Sequence, residues 1–282
     1  MRMNIGQRLH DAAPGTLAER AELVRSQGFS CVHLALSKTL GKAYMEPAAL
    51  TPGLAAAVRQ DLAGLDVAVL GCYLNLATPD EAEDERSLRR YIAHLRFSRW
   101  LDVGVVGTET GDPNREYRYD PERSHTEESL CLFIDRLRPV VRAAERLGAV
   151  LAIEPVFKHI VYDGKAARRV LDELASPNLG IILDPVNLLH ESNLERRDEV
   201  VEEALSLLRE NILVLHVKDY VRKADGSLQA AAVGTGEMQW EPILREVWQH
   251  HPALQMTLEN TTPENALAAR ETLETMLNGI IS

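Results

Sequence analysis

Short apolar runs alternate with amphipathic segments along the whole chain, and this alternation restricts the possible folds more than any other feature. Eight runs typical of buried strands are each followed by a helical pattern, and no linker or change of composition interrupts the 282 residues. Regular strand–helix alternation is typical of a parallel sheet. Eight units in this length predict the α/β class and a (β/α)8 barrel, as a single domain over residues 1–282.

The predicted strands cover residues 3–8, 31–36, 67–73, 103–108, 150–154, 179–184, 212–216 and 255–258. The predicted helices cover residues 16–27, 47–65, 80–100, 126–147, 164–174, 195–210, 239–250 and 263–277. An open doubly wound sheet is the rival architecture, and it usually carries a glycine-rich phosphate turn. Neither GxGxxG nor GxxxxGK[ST] is present, and Gly234-Thr235-Gly236 indicates only a loop.

Charge and cysteine content narrow the class of protein. The chain has 31 basic and 42 acidic residues, a net charge of -11, which argues against nucleic acid or a membrane surface as a partner. No apolar run approaches the length of a membrane span, and the N-terminus lacks the core of a signal peptide. We therefore expect a soluble cytoplasmic protein. Cys31, Cys72 and Cys131 are predicted to be reduced core thiols.

Four consecutive predicted strands end in an acid or a histidine: Glu154, Asp184, His216 and Glu259. The C-terminal ends of barrel strands meet at one face, so these side chains should be neighbours. Side chains two positions apart on a strand point the same way. The residues two positions earlier suit a packed barrel interior; they are Ala152, Ile182, Val214 and Thr257.

Three carboxylates at one place repel each other unless a cation lies among them. Three oxygen donors and an imidazole favour Mn²⁺, with Mg²⁺, Co²⁺ or Zn²⁺ also compatible. Taken singly, Asp184 is equally compatible with a helix N-cap, and His216 with a buried core histidine. The four residues together predict one shared metal site.

The motifs around these residues resemble those of the xylose-isomerase-like barrel superfamily of sugar isomerases and epimerases. They are Ala152-Ile-Glu154-Pro, Leu183-Asp184-Pro-Val-Asn187, His216-Val-Lys218-Asp219 and Gly234-Thr-Gly236-Glu237. In the ketose 3-epimerase branch, Glu, Asp, His and Glu from strands five to eight bind a divalent ion, and the two glutamates act as acid and base. The resemblance implies these roles for Glu154, Asp184, His216 and Glu259, and also a homodimer or homotetramer.

One departure from that branch concerns the substrate. The histidine that usually follows the strand-six aspartate and contacts the sugar is replaced here by Asn187, with His190 nearby. A ketohexose is therefore less expected than another small sugar or keto-polyol. The implied reaction removes a proton next to a ketone through a metal-stabilised enediolate. One of Glu154 and Glu259 removes the proton and the other returns one, in an order that depends on substrate handedness.

Further residues near the strand ends are candidates for substrate binding. Lys218 lies two positions after His216 and could neutralise an oxyanion or phosphate, or form a salt bridge with a neighbouring acid. His159 follows Glu154 by five positions and could orient a ligand or be an ordinary loop residue. The remaining candidates are Asn187, His10, Lys38, Asn75 and Glu109.

Three other functions share parts of this pattern. A dehydratase of a keto-sugar or inosose would start with the same proton removal. An abasic-site endonuclease would need a basic groove and more histidines at the strand ends. A non-catalytic sugar-binding barrel would keep the metal without turnover. The sequence favours a metal-dependent sugar isomerase or epimerase.

Overall fold

The computed structural model describes residues 4–281, so Met3 of the predicted first strand lies outside it. The strands are β1 (Asn4–Arg8), β2 (Cys31–Leu34), β3 (Asp66–Gly71), β4 (Val105–Glu109), β5 (Leu151–Glu154), β6 (Leu179–Leu183), β7 (Ile212–Val217), β8 (Asp219–Arg222), β9 (Leu228–Ala231) and β10 (Gln255–Leu258). The helices are α1 (Leu17–Ser26), α2 (Leu36–Thr39), α3 (Pro52–Asp61), α4 (Glu81–Leu101), α5 (Glu127–Leu147), α6 (Gly164–Leu174), α7 (Arg197–Leu208), α8 (Trp240–His250) and α9 (Ala266–Ile281).

Eight of the strands form a closed parallel barrel in the order β1-β10-β7-β6-β5-β4-β3-β2. The barrel closes because β1 pairs in parallel with both β2 and β10. The fold is therefore the predicted (β/α)8 barrel, and the open sheet is excluded. The C-terminal ends of the strands, where the candidate residues lie, form one face.

The buried residues form two separate apolar clusters. The smaller one fills the barrel interior and consists of Cys31, Ala68, Val69, Val105, Ala152, Ile182 and Val214. It contains three of the four residues predicted to point inward, and the fourth, Thr257, is fully buried. The larger cluster lies between the strands and the helices. Successive side chains of a strand point alternately into the barrel and toward the helices, so a strand-end side chain two positions after an inward-facing residue also points toward the barrel axis.

Polar residues fix the starts of several helices. Thr16 and Glu19 form a reciprocal capping box at α1. Asp80 caps α4 and Asp163 caps α6, each through its side-chain oxygen. Gly148, with a φ of 61°, ends α5 and leads the chain directly into β5.

Several element boundaries differ from the prediction. The second strand stops at Leu34 because the short helix α2 begins at Leu36. The third helix starts at Pro52 rather than at 47, since the side chain of Thr51 caps it and proline suits a first turn. The turn at Asp225-Gly226 belongs to the antiparallel hairpin β8–β9, which was not predicted.

The prediction that all three cysteines are core thiols was wrong for Cys131. Cys31 and Cys72 are buried, but Cys131 is exposed on α5. Its thiol contacts Glu127 and Arg169, which form an ion pair at the surface.

Within residues 4–281, every helix is too short or too polar to cross a bilayer.

Candidate functional site

The four strand-end residues lie next to one another, with His216 between the others. His216 lies at the end of β7, and its Nδ1 is 3.2 Å from Glu154 Oε1 and 3.2 Å from Glu259 Oε1. Possible ligand atoms of Glu154, Asp184 and His216 lie within 4.8 Å of one another. All four side chains are buried, although three of them are acids. Such a cluster is costly unless cations compensate it.

The two oxygens of Asp184 have different partners. Oδ1 accepts hydrogen bonds from the backbone N–H groups of Val186 (3.0 Å) and Asn187 (3.2 Å), although the N-cap position of the short 3-10 helix that begins at Val186 is Pro185 and not Asp184. Oδ2 is buried and accepts no hydrogen bond within the described part of the chain. Asp184 therefore stabilises the turn after β6 with one oxygen and keeps the other directed into the cluster.

Lys218 supplies a positive charge inside the cluster. Its Nζ lies 2.8 Å from Asp184 Oδ2, without hydrogen-bond geometry, and it donates to Glu259 Oε2 (3.1 Å) and to Asn187 Oδ1 (2.7 Å). Lys218 is only 6% exposed, so the salt bridge is a buried one. Asn187 in turn donates to Glu154 Oε1 at 2.7 Å. The salt bridge predicted as one alternative for Lys218 is therefore present, and its role toward a substrate oxyanion or phosphate stays a prediction.

The environments of the two glutamates push their pKa values in opposite directions. Burial raises the pKa of Glu154. Burial also acts to raise the pKa of Glu259, but Lys218, His216 and Arg8 together lower it well below its usual value. For His216, burial opposes protonation, yet Glu154 and Glu259 raise its pKa to about 9. An imidazolium and an ammonium within the cluster therefore offset part of the charge of its three carboxylates.

The donors present fit a divalent metal ion. Three carboxylates and one imidazole lie together, with His216 Nδ1 3.2 Å from both Glu154 Oε1 and Glu259 Oε1, and Asp184 Oδ2 accepts no hydrogen bond among residues 4–281 although Lys218 Nζ lies 2.8 Å away. This donor set suits a cation that accepts oxygen ligands and an imidazole. A second, overlapping group contains His33, His216 and Glu259. His33 stacks on His216 with ring centroids 5.3 Å apart.

A cavity of about 170 Å³ lies over these residues. It is lined by Arg8, His10, His33, Lys38, Tyr73, Glu109, Glu154, Asn187, Lys218 and Glu259. The structure therefore places five of the seven predicted substrate-binding residues on its wall. Three residues of the wall, Arg8, His33 and Tyr73, were not predicted. Arg8 ends β1 and Tyr73 lies two residues after the end of β3, so both occupy strand-end positions.

The other two predicted residues lie behind the wall. Asn75 holds a loop in place: its side chain donates to the backbone oxygens of Asp112 (2.9 Å) and Asn114 (2.8 Å) and accepts from the N–H of Asp112. His159 lies between two acids, with Nδ1 3.0 Å from Asp112 Oδ2 and Nε2 3.3 Å from Glu109 Oε2. Asn75 therefore stabilises the loop, and His159 contacts the cavity only through Glu109.

Glu109 is the member of this group that reaches the cavity. The hydroxyl of Tyr117 also donates to Glu109 Oε2, at 3.2 Å. Asp112 is fully buried and accepts a hydrogen bond from Ser124 at 2.8 Å. Burial acts to lower the pKa of His159, but its hydrogen bonds to Asp112 and Glu109 raise it to about 9. Loop 110–125 thus holds one carboxylate at the cavity in a fixed orientation.

A model of the family described as xylose isomerase-like TIM barrel matches residues 21–278. The chain belongs to this family. Within it, the chain is 28% identical over 207 residues to 3-oxo-isoapionate decarboxylase of Pectobacterium atrosepticum, a match that covers 71% of this chain. The chain spans 65% of the length of that relative.

Solved structures of xylose isomerase-like barrels and related proteins share the fold. The 3-keto-D-glucoside 4-epimerase from E. coli superposes with a TM-score of 0.76 at 17% identity, covering 98% of this chain and 100% of that one. D-psicose 3-epimerase from Clostridium cellulolyticum gives a TM-score of 0.71 at 15% identity, covering 98% and 99%. A family protein from Mycobacterium smegmatis, solved with magnesium, gives 0.70 at 17% identity, covering 99% and 97%.

Proposed function

We propose that this chain is a divalent-metal-dependent enzyme that isomerises or epimerises a small sugar or keto-polyol by moving a proton on a carbon next to a ketone. The observation that carries the proposal is the convergence of Glu154 and Glu259 on His216, at 3.2 Å each, beside a cavity with a polar wall. β5 and β10 are separated in the barrel by β6 and β7, so the two carboxylates approach from different sides.

Glu154, Asp184, His216 and Glu259 would hold the metal, with Mn²⁺ the first choice and Mg²⁺, Co²⁺ or Zn²⁺ compatible with the donors. When bound, such an ion supplies Lewis acidity that stabilises negative charge developing on a carbonyl oxygen. The magnesium complex of the Mycobacterium smegmatis barrel supports a divalent ion in this fold.

The two glutamates are the proposed acid and base. One removes a proton from the carbon next to the ketone, and the other delivers a proton to the opposite face for epimerisation, or to the neighbouring carbon for isomerisation. Substrate handedness decides which glutamate removes the proton. Asn187 keeps Glu154 in place through its 2.7 Å hydrogen bond, and Lys218 does the same for Glu259 at 3.1 Å.

Lys218 has a second proposed task. Its ammonium lines the cavity and is held by Asp184, Glu259 and Asn187, so its position does not depend on substrate. A fixed cation beside a developing oxyanion stabilises the transition state without reorganisation. Glu109, fixed by His159 and Tyr117, offers carboxylate oxygens to substrate hydroxyl groups on the same cavity wall.

A lyase reaction is the second candidate, and the decarboxylase relative from Pectobacterium atrosepticum is the observation that favours it. Loss of carbon dioxide from a 3-oxo acid leaves the same electron pair next to the carbonyl as removal of a proton does. Loss of a β-hydroxyl after proton removal would give a dehydratase. Product masses separate the three outcomes, because only the lyases lose water or carbon dioxide.

The test is isotope exchange in deuterated water. Metal-loaded protein is incubated with a panel of ketoses, keto acids and inososes, and NMR measures deuterium entering carbon. We expect exchange with at least one compound and its loss in EDTA. Glu259→Gln should lower the exchange rate by about a hundredfold or more, the usual contribution of a general acid or base. Glu264→Gln, at an exposed position, is the matched control.

Exchange that is absent with every compound, with and without added metal, would refute the proposed reaction. Exchange that persists in Glu259→Gln at the wild-type rate would remove Glu259 from the mechanism. If wild type and Glu259→Gln bind a sugar with equal affinity and neither exchanges a proton, the protein is a non-catalytic sugar-binding barrel.

A further inference from the structure

A second cavity adjoins the first. It has a volume of about 180 Å³, close to the 170 Å³ of the cavity over the strand ends. Asn187 and Lys218 line both cavities, so these two side chains form the boundary between them. Each cavity alone is smaller than a typical ligand pocket of about 300–1,000 Å³, and together they reach that range.

The chemistry of the second cavity differs from that of the first. Most of its wall is apolar or aromatic, and it includes Val156, Phe157, Val186, Leu189, His190, Leu228 and Ala230. The rings of Phe157 and His190 are stacked, with centroids 4.4 Å apart and planes inclined by 5°. Leu228 and Ala230 belong to the hairpin strand β9. The wall therefore offers a flat aromatic pair and aliphatic contacts.

The aromatic pair is tied to the proposed active site through the backbone. The N–H of Phe157 donates to the carbonyl of Asn187 at 2.7 Å. The carbonyl of Phe157 accepts from Nε2 of His125 at 2.7 Å. Asn187 also donates to Glu154 in the first cavity. The aromatic pair is therefore held at a fixed distance from the first cavity, and a ligand that reached across Asn187 and Lys218 would contact the walls of both cavities.

We infer that the second cavity is a subsite for a ring joined to the reacting sugar, so that the substrate is a glycoside rather than a free monosaccharide. The inference rests on the proposed function, because it takes the first cavity as the reaction site. The C–H face of a sugar ring, or an aromatic aglycone, buries apolar surface against Phe157 and His190. Polar groups at the linkage reach Asn187 and Lys218.

The test compares binding of 4-nitrophenyl β-D-glucopyranoside and of D-glucose to magnesium-loaded protein by calorimetry. The glycoside should bind about threefold to tenfold more tightly, the range expected for one aromatic contact. Phe157→Ala should remove this difference without changing glucose affinity. Phe157→Leu, which keeps apolar volume but loses the ring, covers the case in which the alanine variant fails to fold. Trp100→Ala, which packs on Arg96 outside both cavities, is the control.

Saturation-transfer NMR adds a second readout, because protons of the nitrophenyl ring should receive saturation in wild type and not in Phe157→Ala. Equal affinity for the two probes, absence of glycoside binding, or an unchanged difference in Phe157→Ala would each overturn the inference. The isotope-exchange panel is independent of this measurement. Its failure would refute the proposed reaction while the binding comparison still decides whether the subsite exists.

Discussion

Replacement of Lys218 by methionine tests how the acidic cluster is held together. The ammonium lies 2.8 Å from Asp184 and 3.1 Å from Glu259, and the three side chains are at most 7% exposed. Removing one partner of such a buried ion pair typically costs about 3–5 kcal/mol, because the remaining charges stay buried. Arg8, 3.4 Å from Glu259, and His216, 3.2 Å away, still compensate part of the charge. We therefore expect about 3 kcal/mol in metal-free protein.

The chain offers a matched control in Lys165, which contacts Glu203 at 2.7 Å, but these side chains are 70% and 43% exposed. Exposed pairs contribute about 0–1 kcal/mol. At about 2–4 °C per kcal/mol for a chain of this size class, Lys218→Met should lower the Tm by about 6–12 °C. Lys165→Met should lower it by at most about 4 °C.

The assay is urea and thermal unfolding, followed by circular dichroism in EDTA and again with millimolar magnesium. The metal should stabilise Lys218→Met more than wild type, since the variant has lost the cation that shares Asp184 and Glu259 with the metal. A Lys218→Met variant that is no less stable than Lys165→Met in EDTA would show that the buried ion pair does not hold the acidic cluster together. If magnesium raises the stability of variant and wild type equally, Lys218 and the ion do not compete for Asp184 and Glu259.

Two further predictions concern stability. Because the pKa of His159 is raised from 6.5 to about 9, its stabilising contribution should be complete below pH 6.5 and be lost as the pH rises through about 9. His159→Gln should flatten the unfolding free energy over this range, and an unchanged slope would contradict the ion pairs with Glu109 and Asp112. A Cβ at Gly236 would lie 2.2 Å from the carbonyl oxygen of Tyr220, so Gly236→Ala should cost about 1–3 kcal/mol in urea unfolding. Gly279→Ala, which meets no atom within 4 Å, should cost nothing, and equal losses would contradict the packing at Gly236.

The sequence was sufficient to predict the barrel and the convergence of its acidic strand ends. Glu154, Asp184, His216 and Glu259 each follow a buried apolar run, and strand period and barrel geometry then bring them together. The cavity wall was harder to predict. His33 lies inside β2 and resembles any inward-facing strand residue, so only its contacts with Tyr73 and His216 reveal its position.

Contacts between loops could not be predicted. Asp112 and His159 are 47 residues apart, and their hydrogen bond depends on how loop 110–125 folds back over β4 and β5. The hairpin β8–β9 was missed because its strands have only four residues each and a single residue separates β8 from the end of β7. These features depend on tertiary packing, and so does the second cavity, so none of them was predictable. Strand-end positions follow from the periodicity of single strands and were therefore predictable.

We propose above that Glu154, Asp184, His216 and Glu259 together bind one divalent ion. The most direct measurement is anomalous diffraction at the manganese edge from crystals grown with MnCl₂. We expect one strong peak within about 2.0–2.3 Å of His216 Nδ1 and of carboxylate oxygens from the three acids. A peak elsewhere, or no peak while the ammonium of Lys218 stays between Asp184 and Glu259, would contradict it.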